Sequence, residues 1–207
     1  MHDVDCYQHN YMPLSIILHK KESMTYIDFI VKNYYTAAKK ILLDKGKRVE
    51  LNKGELLCHI GERTSMIGLV GYGALKYSCL NSCGHERIIS FAFSNDLVGS
   101  YSSIRNEECS IFDIIALENT LVYQLSIKEI DAAIDHKYRM EFAEALSYQL
   151  LQKVIENCCM TVEERYSALL KRLPDIHNRM TNRTIAAYLG ITPESLSRVR
   201  KRLLTDF

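Results

Sequence analysis

Near the C-terminus, Glu194, Ser197 and Arg198 stand at the spacing that puts three side chains on one face of a helix. Arg198 can donate paired hydrogen bonds to O6 and N7 of a guanine, Glu194 can accept from the N4 amine of a cytosine, and Ser197 suits either a base or a phosphate. Around them, Arg183, Thr192, Arg200, Lys201 and Arg202 are suited to backbone phosphates, contacts that add affinity without sequence choice. Residues 161–207 hold nine Lys or Arg against five Asp or Glu, although the whole chain carries a net charge of only +1. A basic end on an otherwise slightly acidic chain points to an anionic partner, double-stranded DNA first.

These side chains need a rigid support, and residues 182–203 supply the pattern for one: helix, tight turn, helix. Ala186 is small where two helices would cross, and Gly190, four residues later, permits the left-handed backbone that ends the first helix. Ile185, Leu189, Ile191, Leu196 and Val199 provide the apolar faces that join the pair. Thr192 can cap the second helix, with Pro193 in its first turn, where a missing N–H costs nothing. Glu194, Ser197, Arg198 and Lys201 are then left facing outward, as in a helix-turn-helix reader.

Upstream, eight of the nine glycines fall between Gly46 and Gly99, so turns crowd into one region. There Leu75, Tyr77 and Cys79 alternate with Lys76 and Ser78, and a turn at residues 81–84 leads into Arg87–Phe93, which reads as a β-hairpin. Further strand-like runs at 48–51, 56–60, 111–117 and 121–125 bring the expected total to about seven or more, enough for a β-sandwich or β-roll. Ile27, Ile30, Val31, Tyr34, Ala38 and Ile41 repeat at helical spacing ahead of it. Residues 127–162 contain neither Gly nor Pro, and a long helix is expected over 137–160. Its stripe of Ala143, Leu146, Leu150, Val154 and Cys158 suits a second subunit, while Phe142, Leu151, Ile155 and Cys159 widen the apolar surface toward its own β-unit. The expected class is therefore α+β: a tail over 1–24, a double-stranded β-roll with flanking helices over 25–136, the dimerisation helix, and a helix-turn-helix unit over 161–207.

In this order of parts the chain resembles the Crp/Fnr family of bacterial transcription regulators. The likeness is strongest over Ile185–Leu203, where Glu194, Ser197 and Arg198 match the Glu-x-x-Ser-Arg pattern with which Fnr-type members read TTGA-containing half-sites. It is looser in the roll, through Lys53–Leu57, Gly61-Glu62, Gly73 and Ala116-Leu117-Glu118. The resemblance implies a homodimer on an inverted repeat, with half-sites about one helical turn apart and RNA polymerase as a further partner. It also implies an effector pocket near Gly99, Ser100, Tyr101 and Arg105, for a small molecule of unknown identity.

Departures from the family pattern are equally informative. Members that bind cyclic nucleotides resemble one another in a Gly-Glu pair for the ribose and an Arg-Ser or Arg-Thr pair for the phosphate. Here Gly99 is followed by Ser100, and the later stretch reads Arg105-Asn106-Glu107-Glu108-Cys109-Ser110, whose two acids would repel a cyclic phosphate. Cyclic nucleotide is accordingly not expected, and no cofactor or metal is assigned. Cys6 alone stands where oxygen-sensing members carry several cysteines. Cys79, Cys83 and His85 resemble the Cys-x-His haem ligation of carbon-monoxide sensors, but such residues on a hairpin more often pack or face water. Cys158-Cys159 could form a redox-sensitive bridge between subunits, or simply pack. Only residues 204–207 follow the reader helix, so any wing must lie before residue 182, around Leu173–Met180, or be absent.

Other classes fit less well. No apolar run reaches the length of a membrane helix, the acidic N-terminus is unlike a secretory signal, and seven scattered cysteines suit reduced thiols, which together suggest the cytoplasm. A cupin-like enzyme would need clustered inward histidines, yet His59 and His85 are isolated, so an enzyme is not expected. A β-roll adaptor whose helix-turn-helix binds protein remains the other alternative.

Overall fold

The computed structural model describes residues 26–205, so the expected tail over 1–24 lies outside the described residues. Helix α1 (Tyr26–Lys45) leads into strands β1 (Lys47–Leu51), β2 (Leu56–Cys58), β3 (Met66–Tyr72), β4 (Ala74–Leu80), β5 (Glu86–Phe93) and β6 (Leu97–Val98). The short helix α2 (Tyr101–Asn106) precedes β7 (Asp113–Ala116) and β8 (Thr120–Ser126). Six helices follow: α3 (Ile127–Ala133), α4 (His136–Cys159), α5 (Val162–Arg172), α6 (Ile176–Arg179), α7 (Asn182–Leu189) and α8 (Pro193–Thr205).

The strands form two four-stranded antiparallel sheets, ordered β1-β8-β3-β6 and β2-β7-β4-β5. Between them Leu51, Val70, Val98 and Val122 from the first sheet meet Leu75, Ala92, Ile114 and Ala116 from the second. The first sheet is covered on its other side as well. Ile67, Leu69 and Leu125 pack there against Tyr34, Ala38 and Leu42 of α1 and Ile127 and Ile130 of α3. Burying each such side chain contributes about 1.5–3 kcal/mol. Strand β3 is therefore buried on both faces, which accounts for an apolar run without the usual alternation. Gly68 is part of this arrangement, since a Cβ there would lie 2.5 Å from Val122 Cγ1.

A third apolar cluster joins the second sheet to the C-terminal helices. Phe91 and Phe93 of β5 and Leu117 pack against a core of Tyr166, Leu169, Ile176, Ile185, Leu189 and Leu196.

The long helix expected over 137–160 is α4, His136–Cys159: Asp135 accepts a hydrogen bond from the Lys137 N–H at its start, and Thr161 and Glu164 form a reciprocal capping box that starts α5 just beyond it. One expectation is corrected. The candidate wing over Leu173–Met180 is instead the helical turn α6, whose Ile176 is buried, as is Met180 just beyond it. Among the described residues no strand follows β8.

Candidate functional site

Helices α7 and α8 are held by local chemistry that the sequence specifies residue by residue. Thr181 Oγ1 accepts from the Thr184 N–H at 3.2 Å to open α7, and Gly190, at φ 76°, closes it. Thr192 Oγ1 accepts from the Ser195 N–H at 3.2 Å and caps α8. Ile185, Ala186, Leu189, Leu196 and Val199 are buried between the helices and the units behind them, with Ile191 half-buried. This leaves Glu194, Ser197, Arg198 and Lys201 exposed along one side of α8.

That outward side carries defined charges. The Glu194 carboxylate is held below the usual carboxylate range by its own backbone N–H, by the Thr192 hydroxyl and by the neighbouring Arg198 charge, so it stays an acceptor at neutral pH. Arg198 donates to Ser195 Oγ at 3.1 Å, which steadies the guanidinium at the helix surface. Among the surrounding basic residues, Arg183, Lys201 and Arg202 are exposed; Arg200 donates to Asn182 Oδ1 at 3.3 Å, and Arg202 pairs with Glu163 of α5.

The stripe on α4 runs from covered to bare. Ala143 and Leu146 are half-buried, but Leu150 is 58% exposed, Val154 is 56% exposed, and Cys158 is exposed too. On the helix's second side, Phe142 stacks on Tyr34 of α1 at 4.3 Å between ring centroids, whereas Leu151 remains exposed and Ile155 half-buried. Cys159 is exposed.

Of the four residues of the expected effector pocket, Tyr101 and Arg105 line one small recess, whereas Gly99 and Ser100 do not. Gly99 closes the roll at the end of β6, and its N–H donates to the Tyr77 hydroxyl at 3.3 Å. Ser100 is fully buried, while Tyr101 is largely exposed and Arg105 turns to Asp131 of α3. Cys79, Cys83 and His85 lie on the β4–β5 hairpin with Cys83 and His85 exposed, and among the described residues no group of three or more His, Cys, Asp or Glu could hold a metal ion.

Sequence reasoning missed the junction between the roll and the helix-turn-helix. Tyr188 of α7 packs on Phe91 and accepts from Lys153 of α4 at 2.6 Å and from Arg172 of α5 at 2.8 Å. Burial alone would raise its hydroxyl, but the two cations lower it overall. Arg179 lies over the Phe93 ring and donates to Glu118 at 2.9 Å. These partners are far apart in sequence, so no local spacing could have announced them.

Residues 48–137 match the model of the cyclic nucleotide-binding domain. The residues present do not fit that ligand. Tyr77 and Phe112 meet edge-to-face at 5.2 Å against the roll's inner cluster, burial pushes the Tyr77 hydroxyl up to about 12, and the Ser110 hydroxyl donates to the Phe112 carbonyl. Arg105, the nearest arginine in sequence, is paired outside the roll.

Across the longer chain, the transcriptional regulatory protein btr of Bordetella pertussis is 25% identical over 172 residues, covering 75% of this chain and 70% of that protein. The anaerobic regulatory protein of Pasteurella multocida is 25% identical over 173 residues, covering 76% of this chain and 63% of its own length. This chain thus spans about two thirds of the length of those relatives. Among solved structures, FixK2 from Bradyrhizobium japonicum superposes with a TM-score of 0.65 at 22% identity, covering 78% of this chain and 85% of FixK2. A Thermus thermophilus transcriptional regulator of the CRP/FNR family does so with a TM-score of 0.59 at 16% identity, covering 77% and 87%. The chain thus carries a roll matched by the cyclic nucleotide-binding domain model and is similar, over about three quarters of its length, to transcription regulators of the Crp/Fnr type.

Proposed function

We propose that the protein acts in the cytoplasm as a homodimer, joined along α4, that binds an inverted repeat and works with RNA polymerase at the promoters it selects. The observation that carries this reading is the outward side of α8, where an ionised Glu194, Ser197 and Arg198 stand exposed on a capped helix locked to α7. Arg198 reads a guanine, Glu194 a cytosine amine, and Ser197 a base or phosphate. Arg183 and Lys201 contact phosphates, as do Arg200 and Arg202 once released from Asn182 and Glu163. The Thr192 hydroxyl, which caps the reader helix, takes a further phosphate contact at its N-terminal end. A two-fold dimer along the bare part of the α4 stripe accords with half-sites about one helical turn apart on an inverted repeat. None of the described helices is long and apolar enough to cross a membrane.

The test is selection from random duplex DNA by the purified, reduced protein at near-physiological salt, without added ligand. Enrichment of an inverted repeat with TTGA-like half-sites is expected. Enrichment of single half-sites would remove the dimer from the reading, and enrichment of nothing would favour a protein-binding role for α7–α8.

A further inference from the structure

We propose that a recess of about 190 Å³ between α2 and the root of α4 binds a small organic carboxylate with a short apolar body. It is distinct from the interior of the roll and independent of the DNA reading above.

One wall of the recess is cationic. Arg105 from α2 and Arg139 and His136 from α4 line it, and the two guanidiniums share a single carboxylate, Asp131. One carboxylate between two permanent cations leaves a positive charge in a half-buried setting, where an anion is held more strongly than at the open surface. The sharing is unequal, since Arg105 lies 2.5 Å from Asp131 and Arg139 lies 3.4 Å from the same oxygen. Arg139 also keeps its Nε buried without an acceptor, and Asp131 Oδ1 is buried without a donor. A carboxylate in the recess would instead meet those guanidinium nitrogens of Arg105 and Arg139 that line it, through charge-assisted hydrogen bonds of the kind that guanidinium makes to carboxylates.

The rest of the lining is apolar or aromatic: Met140, Phe142, Ala143 and Tyr101. Inorganic phosphate would use only the cationic wall and leave this surface wet. An aryl or short branched carboxylate uses both. The volume lies below the roughly 300–1,000 Å³ typical of drug-sized ligands, which limits the occupant to a small acid.

The test is isothermal titration calorimetry of the full chain with sodium benzoate, sodium phosphate and benzyl alcohol. Saturable benzoate binding is expected, with phosphate and the neutral alcohol weaker by about tenfold or more. Arg139→Gln should weaken benzoate by a similar factor, whereas Lys45→Gln, at the far end of α1, should not. Because Arg139 is half-buried, Met140→Glu serves as the second variant: Met140 is 52% exposed, so the change leaves the core intact while placing a repelling charge at the recess. No saturable benzoate binding, equal binding of benzyl alcohol, or undiminished binding by both variants would overturn the site. Phosphate binding as tightly as benzoate would overturn the apolar half of the proposal.

Discussion

The roll and the reader treat their polar side chains in opposite ways. Inside and around the roll, the hydroxyls of Tyr77, Ser103, Ser110 and Thr120 are committed to the chain's own backbone. On α8, Glu194, Ser197 and Arg198 face solvent from a helix whose apolar side is fully occupied. The first arrangement uses polar groups to hold the roll's own backbone, and the second leaves them facing solvent. A matching domain therefore identifies the scaffold of the roll, whereas the function proposed for α8 rests on its exposed residues.

The largest expected effect breaks the presentation of the reader at a distance. Leu150→Asp places a charge on the bare part of the α4 stripe, where pairing would bury it without a partner. The variant should sediment as a monomer and lose about a hundredfold or more in affinity for a two-half-site duplex, because the second half-site no longer binds intramolecularly. A variant that still sediments as a dimer would move the interface away from α4. Next in size, Arg198→Ala should cost about 1–3 kcal/mol on the selected site and relax choice at one base pair. Lys201→Ala should instead weaken specific and random DNA alike and reduce the salt slope by about one. Equal losses on both DNAs for Arg198→Ala would leave it a phosphate contact only.

The difference between the two regions also explains what could be read in the sequence. The α7–turn–α8 unit is local: a cap, a glycine and an apolar spacing within about twenty residues determine it, and each appears at the expected position. Most strands were readable through alternation or turns, but β3 was not, because burial on both faces erases its period. The break before α5 left a readable signal, Thr161 three residues before Glu164, while the break at Asp135 left a weaker one. Tyr188 meeting Phe91, and Arg179 meeting Glu118, left none, since both contacts depend on how the third core docks on the second sheet. For the same reason Arg105 and Arg139 could not be placed together from their spacing.

A smaller change sharpens the contrast from the side of the roll. Tyr77→Phe removes the hydroxyl that accepts the Gly99 N–H and keeps the ring against Phe112. Leaving one N–H without its partner should destabilise the chain by about 1 kcal/mol, measured by urea denaturation, with no change in DNA affinity. A drop in DNA affinity at full folding would mean that the closed roll communicates with the reader.

The smallest effect belongs to the reader unit itself. His177 of α6 and Tyr166 of α5 hydrogen-bond at 2.7 Å through Nε2 and the tyrosine hydroxyl. Burial, assisted by the Arg200 charge, lowers the histidine from its ordinary value, so the folded chain resists protonation that the unfolded chain accepts. A lowered folded value means that the contribution is complete above about pH 6.5, the ordinary histidine value, and is lost as pH falls through the folded one. The thermal midpoint should therefore fall more steeply between pH 7.5 and 5.5 in the wild type than in His177→Gln, which keeps a neutral side chain throughout. The partial exposure of His177 keeps this difference small. Parallel pH profiles would show that the imidazole binds protons equally in the folded and unfolded states, and that the Tyr166 bond fixes the geometry of α6 without making the reader sensitive to acid.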